Sequence, residues 1–146
     1  MSRANPKKLG NLGERIAVDY LKSKGYRILN KNCKIETEFS SSFGEIDIIA
    51  EFHKKIPFWK KDKAKEKKVI HFVEVKTISQ NENFEPEDRV DFKKQRKLIK
   101  LAQIWLNKNK VPFNSKWQID VIGIKINPAT GKAKVRHFKN AIKNVF

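Results

Sequence analysis

Two short runs of the sequence place acidic side chains and a lysine on strand-like patterns. Residues 69–77 read Val-Ile-His-Phe-Val-Glu-Val-Lys-Thr, a β-branched and aromatic run that predicts a strand. Side chains alternate between the two faces of a strand, so Glu74 and Lys76 share one face. Burying such charges is costly unless they are paired or bound to a metal. A salt bridge is the simpler explanation of this Glu-x-Lys tripeptide, and a catalytic pair is the alternative.

A second strand pattern supplies more carboxylates. Residues 44–50 read Gly-Glu-Ile-Asp-Ile-Ile-Ala, and Glu45 and Asp47 share a face by the same alternation. If the two strands pair with their acidic faces aligned, Asp47 and Glu74 come within reach of a common cation, and Lys76 stands beside it. Two carboxylates suit a hard cation such as Mg²⁺. The lysine can hold a water or stabilise charge that develops on a phosphate.

The charge balance of the chain indicates a polyanionic partner. Its 146 residues include 33 Lys and Arg against 16 Asp and Glu, a formal net charge of +17. This excess favours nucleic acid, with an anionic membrane surface as a more distant alternative. No apolar run approaches the ~20 residues of a membrane span, and the charged amphipathic start differs from a signal peptide. With Cys33 as its single cysteine, the chain is expected to be cytoplasmic and without an intrachain disulfide.

The remaining patterns predict helices and strands around these two runs. Apolar spacing predicts a first helix over 6–24, stopped by Gly25, and a second from Pro86 to about Asn109. The predicted strands are 26–32, 44–51, 69–77, 117–127 and 133–138, with a polar link at 34–42. The expected fold is α/β, with helices packed on a mixed sheet of about five strands in the order α-β-β-β-α-β-β. One domain is expected over 1–146, with a lysine-rich insertion at about 52–68.

Two basic segments are candidates for contact with phosphates. The segment 52–68 has eight lysines, Lys60 and Lys61 among them, against two acids. It is either a solvated loop or a basic arm, in which Phe58 or Trp59 is available to stack on an unpaired base. The first half of the second helix carries five basic residues without an acid among them, which favours phosphate contact over a merely solvated face. These residues are Lys93, Lys94, Arg96, Lys97 and Lys100.

Two isolated carboxylates each have a structural interpretation, and Glu14 has a functional one as well. Glu14 lies near the apolar stripe of the first helix, as a solvated carboxylate or as a third acid aimed at the metal. Asp120 is expected to be a satisfied polar group near the sheet edge or a helix end.

His71 is expected to be a plain strand residue near one end of the sheet. The histidines and Cys33 lack the spacing of zinc ligands, and the glycine-rich nucleotide-binding motifs are absent from the sequence.

Taken in order, these motifs resemble the PD-(D/E)xK nuclease superfamily. The closer resemblance is to the YraN-like family of small bacterial proteins, which are related to Holliday-junction resolvases. It spans roughly residues 9–140 and implies a restriction-endonuclease-like fold. The matching residues are Gly13-Glu14, Ala17, Leu21, Gly25-Tyr26, Asn32, Gly44-Glu45-Ile46-Asp47, Phe72-Val73-Glu74-Val75-Lys76, Val90, Lys94-Gln95, Ala102, Leu106 and Ile119-Asp120-Val121-Ile122.

The resemblance implies roles for individual residues. Asp47 and Glu74 would ligate Mg²⁺ or Mn²⁺, and Lys76 would be the catalytic lysine. Glu14 would complete the acidic cluster as a further catalytic and metal-binding residue. Both Lys94 and Gln95 would lie near the site. The chain departs from the family pattern in its longer links before the second and third strands, and in the residue after Thr77, which is Ile78 where the family often has arginine.

The expected function is that of a metal-dependent endonuclease that cuts DNA phosphodiester bonds at branched or otherwise distorted structures. Phosphate contacts give affinity but read no bases, so sequence specificity is not expected. Two alternatives remain open: a nucleic-acid-binding protein that keeps the fold without cutting, and a basic adaptor that docks on an acidic protein. A homodimer would suit a resolvase, which must cut two strands symmetrically, although no self-complementary patch identifies an interface.

Overall fold

The computed structural model describes residues 5–38, 40–54, 59, 68–80 and 90–143, with only the backbone at 40–42. Within these residues, two helices and five strands follow one another as α1 (Pro6–Ser23), β1 (Arg27–Thr37), β2 (Ser40–His53), β3 (Lys68–Ser79), α2 (Phe92–Lys108), β4 (Lys116–Ile126) and β5 (Ala133–Ile142). This order confirms the predicted α/β class and the succession α-β-β-β-α-β-β. Neither of these helices is long and apolar enough to cross a membrane.

The five strands form one mixed sheet in the order β1-β2-β3-β4-β5. All neighbouring strands are antiparallel except β3 and β4, which are parallel. Parallel neighbours need a long crossover connection, and α2 lies within it. The two helices cover the sheet from opposite sides. One core cluster contains Leu98, Leu101 and Trp105 of α2, and the other contains Ala17 and Leu21 of α1.

Capping side chains explain where the helices begin. Asn5 precedes α1, and its side chain accepts a hydrogen bond from the Lys7 N–H at 3.0 Å. Asp91 does the same for α2, accepting from the Lys94 N–H at 2.8 Å. The second helix was expected to run from Pro86, but the described residues 90 and 91 are not helical and α2 begins only after Asp91. The expected start was therefore wrong for these two residues. Pro86 itself lies outside the described residues.

The expected polar link at 34–42 was also wrong, because most of it is strand. Strand β1 continues to Thr37, which pairs with Ser40 at the start of β2. Because β1 is at the edge of the sheet, it needs apolar side chains only where it faces the core, as at Ile35. Polar side chains at 30–32, 34, 36 and 37 obscure the strand pattern.

Candidate active site

The candidate site lies where the pairing between β2 and β3 ends. Their ladder stops at the pair Ile48–Val73, although both strands continue beyond it. Asp47 and Glu74 are the next residues on their strands, so their carboxylates stand where the strands part. At this point a side chain replaces the backbone partner, since the Val75 N–H donates to Asp47 Oδ2 at 2.8 Å. The expected approach of these two acids is therefore observed.

Glu74 is the buried centre of the site, with a relative exposure of 3%. Its Oε1 lies 3.3 Å from Lys76 Nζ and 3.4 Å from Lys94 Nζ. The salt bridge offered as the simpler explanation of the Glu-x-Lys motif is thus present. However, the other carboxylate oxygen, Oε2, is buried and has no hydrogen-bond partner among the described residues. A buried carboxylate oxygen without a partner is costly, so the lysines alone do not account for Glu74.

Asp47 is held in an environment that opposes its charge. Burial raises its pKa from 3.8 to about 7, and the nearby negative charges of Glu74 and Glu14 add to the rise. The Val75 N–H and the positive charge of Lys94 act in the opposite direction but do not cancel it. A cation bound beside Asp47 would favour the ionised carboxylate.

Glu14 borders this acidic pair from α1. Burial raises the pKa of Glu14, a hydrogen bond from Asn32 lowers it in part, and the charges of Glu45 and Glu74 raise it again. In the amide orientation that satisfies both neighbours, Asn32 donates to Glu14 Oε2 at 2.9 Å and to Glu45 Oε1 at 3.1 Å. Asn32 has a positive φ of 48°, a conformation in which asparagine is enriched. Asn32 was singled out only as one of the residues that match the family pattern, so this bridging role was not predicted.

A close approach between α1 and β3 positions Glu14. A Cβ atom added at Gly13 would lie 1.8 Å from Thr77 Oγ1, so no larger residue fits here without movement of the strand or the helix. Gly13 precedes Glu14, and Thr77 follows Lys76. The glycine therefore lets the helix bring its carboxylate to the strand that carries the Glu-x-Lys motif.

The donor set fits a hard divalent cation, although a three-residue ligand set is not assembled. Within the described ranges, no three His, Cys, Asp or Glu side chains are gathered so that they could hold a metal ion. Mg²⁺ usually keeps several waters and is often bound by one or two carboxylates. The partnerless oxygen of Glu74 and the raised pKa of Asp47 both fit such an ion. The part of Glu14 in metal binding stays a prediction.

The predicted basic residues of α2 have different surroundings. Lys94 reaches Glu74, whereas the Gln95 side chain donates to the Val90 carbonyl at 3.1 Å instead of entering the site. Four others lie on the exposed part of the helix, namely Lys93, Arg96, Lys97 and Lys100. The predicted phosphate contacts Lys60 and Lys61 lie outside the described residues.

A second buried polar cluster was not predicted. Asp120 is fully buried, and its Oδ2 lies 2.7 Å from His71 Nδ1 and 2.8 Å from His137 Nε2. Its Oδ1 accepts from the Gln118 side chain and the Asn140 N–H, each at 2.8 Å. Burial raises the pKa of Asp120, but these contacts outweigh burial and hold it well below its usual range. The prediction of a satisfied carboxylate is confirmed, whereas its expected place at a sheet edge or helix end was wrong because β4 lies between β3 and β5.

Comparison with known proteins identifies the family. The family model described as "Uncharacterised protein family UPF0102" matches residues 13–124. A UPF0102 protein of Caldanaerobacter subterraneus subsp. tengcongensis is 36% identical over 143 residues, which cover 97% of this chain and 99% of the relative. A UPF0102 protein of Clostridium botulinum (strain Kyoto, type A2) is 36% identical over 137 residues, or 94% of this chain and 95% of the relative. The chain therefore belongs to UPF0102, the YraN-like family that its motifs resemble.

Proposed function

We propose that the protein is a metal-dependent endonuclease that hydrolyses DNA phosphodiester bonds and selects branched or distorted structures rather than a sequence. The observation that carries this proposal is the state of Glu74. Its carboxylate is buried beside Asp47, shares one oxygen between two lysines and leaves the other oxygen without a partner among the described residues. A structural ion pair would be better stabilised with both oxygens satisfied, whereas a cation-binding carboxylate needs a free oxygen.

In this proposal, Asp47 and Glu74, which stand where β2 and β3 part, would hold Mg²⁺ or Mn²⁺. When bound, such an ion supplies an activated water and neutralises charge on the phosphate. The side chain of Lys76 is 27% exposed, so its ammonium group can face an incoming phosphate while it stays near Glu74. Lys76 would position the attacking water or stabilise the charge that develops on the phosphate. Lys94 adds a second positive charge from α2, and Glu14 assists from α1.

The basic surface supports a nucleic-acid substrate without sequence readout. A net charge of +17 attracts a polyanion at long range. Lys93, Arg96 and Lys97 lie on the exposed part of the helix whose Lys94 reaches Glu74. Contacts of this kind bind phosphates, and they make affinity depend strongly on salt. DNA is the proposed polymer, and symmetric cutting of two strands would require two copies of the chain.

A second function remains: a nucleic-acid-binding protein that keeps this fold but does not cut. The observation in its favour is that the described residues hold no group of three potential metal ligands. A test between the two functions must therefore measure binding and cleavage on the same substrates.

The test is cleavage of labelled four-way junction, flap, single-stranded and linear duplex DNA in Mg²⁺, Mn²⁺ or EDTA. Asp47→Ala and Lys76→Ala are expected to lose cleavage by about 10²-fold or more, since each removes a group that acts on the reacting phosphate. Lys116→Ala, an exposed lysine at the start of β4, is the matched control and keeps activity. Tight, salt-sensitive binding without cutting would refute the nuclease and support the second function, a nucleic-acid-binding protein. No binding at all would point to an acidic protein partner.

A further inference from the structure

A cavity of about 400 Å³ opens directly beside the candidate active site. Glu14 and Asp47 form part of its wall, so a group bound there lies next to the proposed metal-binding carboxylates. Val18 and Ile48 are the apolar residues of its lining and are largely buried, whereas the exposed Asn11 and Asn32 supply amide groups. The volume falls in the lower part of the range of about 300–1,000 Å³ that is typical of small-molecule pockets.

The charges that line this cavity are of both signs. Three acidic residues line it, namely Glu14, Asp19 and Asp47, and three basic residues line it, namely Arg15, Lys22 and Lys31. The lining is therefore balanced in formal charge, whereas the whole chain carries +17. A wall that offers both hydrogen-bond donors and acceptors suits a neutral, flat group with polar edges. The nucleobase is the part of a nucleic acid that has this chemistry.

We propose that this cavity receives one unpaired nucleobase of the substrate, adjacent to the phosphate that is cut. A paired base enters such a cavity only after it leaves the duplex, which costs free energy, whereas a base that is already unpaired avoids most of that cost. The cavity thereby explains how the site selects branched or distorted DNA without reading sequence. This inference rests on the proposed function, because it assigns the substrate of the same site.

The experiment compares two duplexes that differ by one unpaired nucleotide, a 2-aminopurine in a single-nucleotide bulge. Binding is measured in EDTA, by affinity and by the fluorescence of the 2-aminopurine, and cleavage is measured separately in Mg²⁺. Asn11→Trp narrows the cavity from an exposed position of α1. Leu12→Trp is the matched control, since Leu12 is also neutral, is 43% exposed and does not line the cavity.

We expect the wild-type protein to bind the bulged duplex about tenfold more tightly than the continuous duplex, with a change in 2-aminopurine fluorescence. Asn11→Trp should lose most of this preference and the fluorescence change, and Leu12→Trp should keep both. Equal binding of the two duplexes by the wild-type protein, or an unchanged preference in Asn11→Trp, would overturn the inference. A preference for the bulged duplex without cleavage would refute the proposed nuclease activity and support base binding in the cavity. Cleavage without that preference would support the nuclease and refute base binding in the cavity. No DNA binding would overturn both proposals.

Discussion

Replacing Asp47 with asparagine should remove the proposed activity and yet make the metal-free protein more stable. Asparagine is nearly the same size and can still accept the hydrogen bond that the Val75 N–H donates to this side chain. It removes the negative charge that burial and Glu74 oppose. A side chain kept only for structure would be expected to lose stability when replaced, so a gain would indicate a functional reason for the acid.

The size of the gain follows from the pKa of Asp47. The carboxyl group loses its proton near pH 3.8 in the unfolded chain and near pH 7 in the folded protein. Between these values the folded state binds more protons, so the free energy of unfolding falls as the pH rises. At 1.36 kcal/mol per pKa unit, the difference is about 4 kcal/mol, and partial access of solvent reduces it to roughly 2–4 kcal/mol. Asp47→Asn should therefore gain most of this amount at pH 8 and little at pH 4.

The assay is urea unfolding of the wild-type protein and Asp47→Asn in EDTA at pH 4, 6 and 8. Glu36→Gln, which replaces an exposed acid on β1, is the control and should change stability little at any of these values. Adding Mg²⁺ at pH 8 should stabilise the wild-type protein and not Asp47→Asn, because ligands stabilise the state that binds them. A loss of stability in Asp47→Asn, or a gain of equal size at all three values, would refute the reasoning about the buried charge.

Three further predictions concern packing, acid stability and salt. Gly13→Ala should destabilise the protein by about 1–3 kcal/mol in urea unfolding because its Cβ would overlap Thr77; Gly10→Ala on the same helix meets no neighbour and should be neutral or stabilising by up to about 1 kcal/mol. The low pKa of Asp120 stabilises the fold above about pH 4, the unfolded value, and this stabilisation is lost as the pH falls towards the folded value. The acid unfolding curve of Asp120→Asn should thus be shallower below pH 4 than that of the wild-type protein. Lys93→Gln should reduce the slope of log K for DNA against log salt by about one.

Each of these predictions has an outcome that contradicts it. Equal stability of the two alanine variants would show that α1 can move away from β3 at no cost. Parallel acid unfolding curves would mean that Asp120 does not keep its low pKa in solution. An unchanged salt slope for Lys93→Gln would mean that α2 does not contact the phosphates of DNA. An equal reduction of the slope in the control Lys132→Gln, in the turn before β5, would mean the same.

The acidic pair could be predicted from the sequence because it depends on one rule, the alternation of side chains along a strand. That rule places each acid on a defined face of its strand, and the two acids meet once β2 and β3 pair in the observed register. The end of the ladder could not be predicted, because it depends on the bond between one side chain and the Val75 N–H. The cluster of His71, Asp120 and His137 joins three strands, and their relative registers have no signal in the sequence.

The same physical reasoning explains the errors in the element boundaries. Strand β1 was expected to be short because the residues of its second half are mostly polar, as in a link. An edge strand needs few apolar residues, so this polar half can still be strand. Helix α2 was expected to begin at Pro86 because proline suits a first helical turn. The cap at Asp91 determines the start that is observed.

The lysine-rich insertion at about 52–68 connects β2 to β3, and its position has a consequence for how the protein could evolve. The connection leaves β2 after His53 and enters β3 at Lys68, and these residues pair at the end of the two strands that is farther from Asp47. At about 3.3 Å per residue, His53 lies roughly 20 Å along β2 from Asp47, a length spanned by about six base pairs of duplex. The connection can therefore lengthen, shorten or change its charge without disturbing the carboxylates. In this architecture the proposed contacts with a nucleic acid and the proposed chemistry at the phosphate could therefore diverge independently.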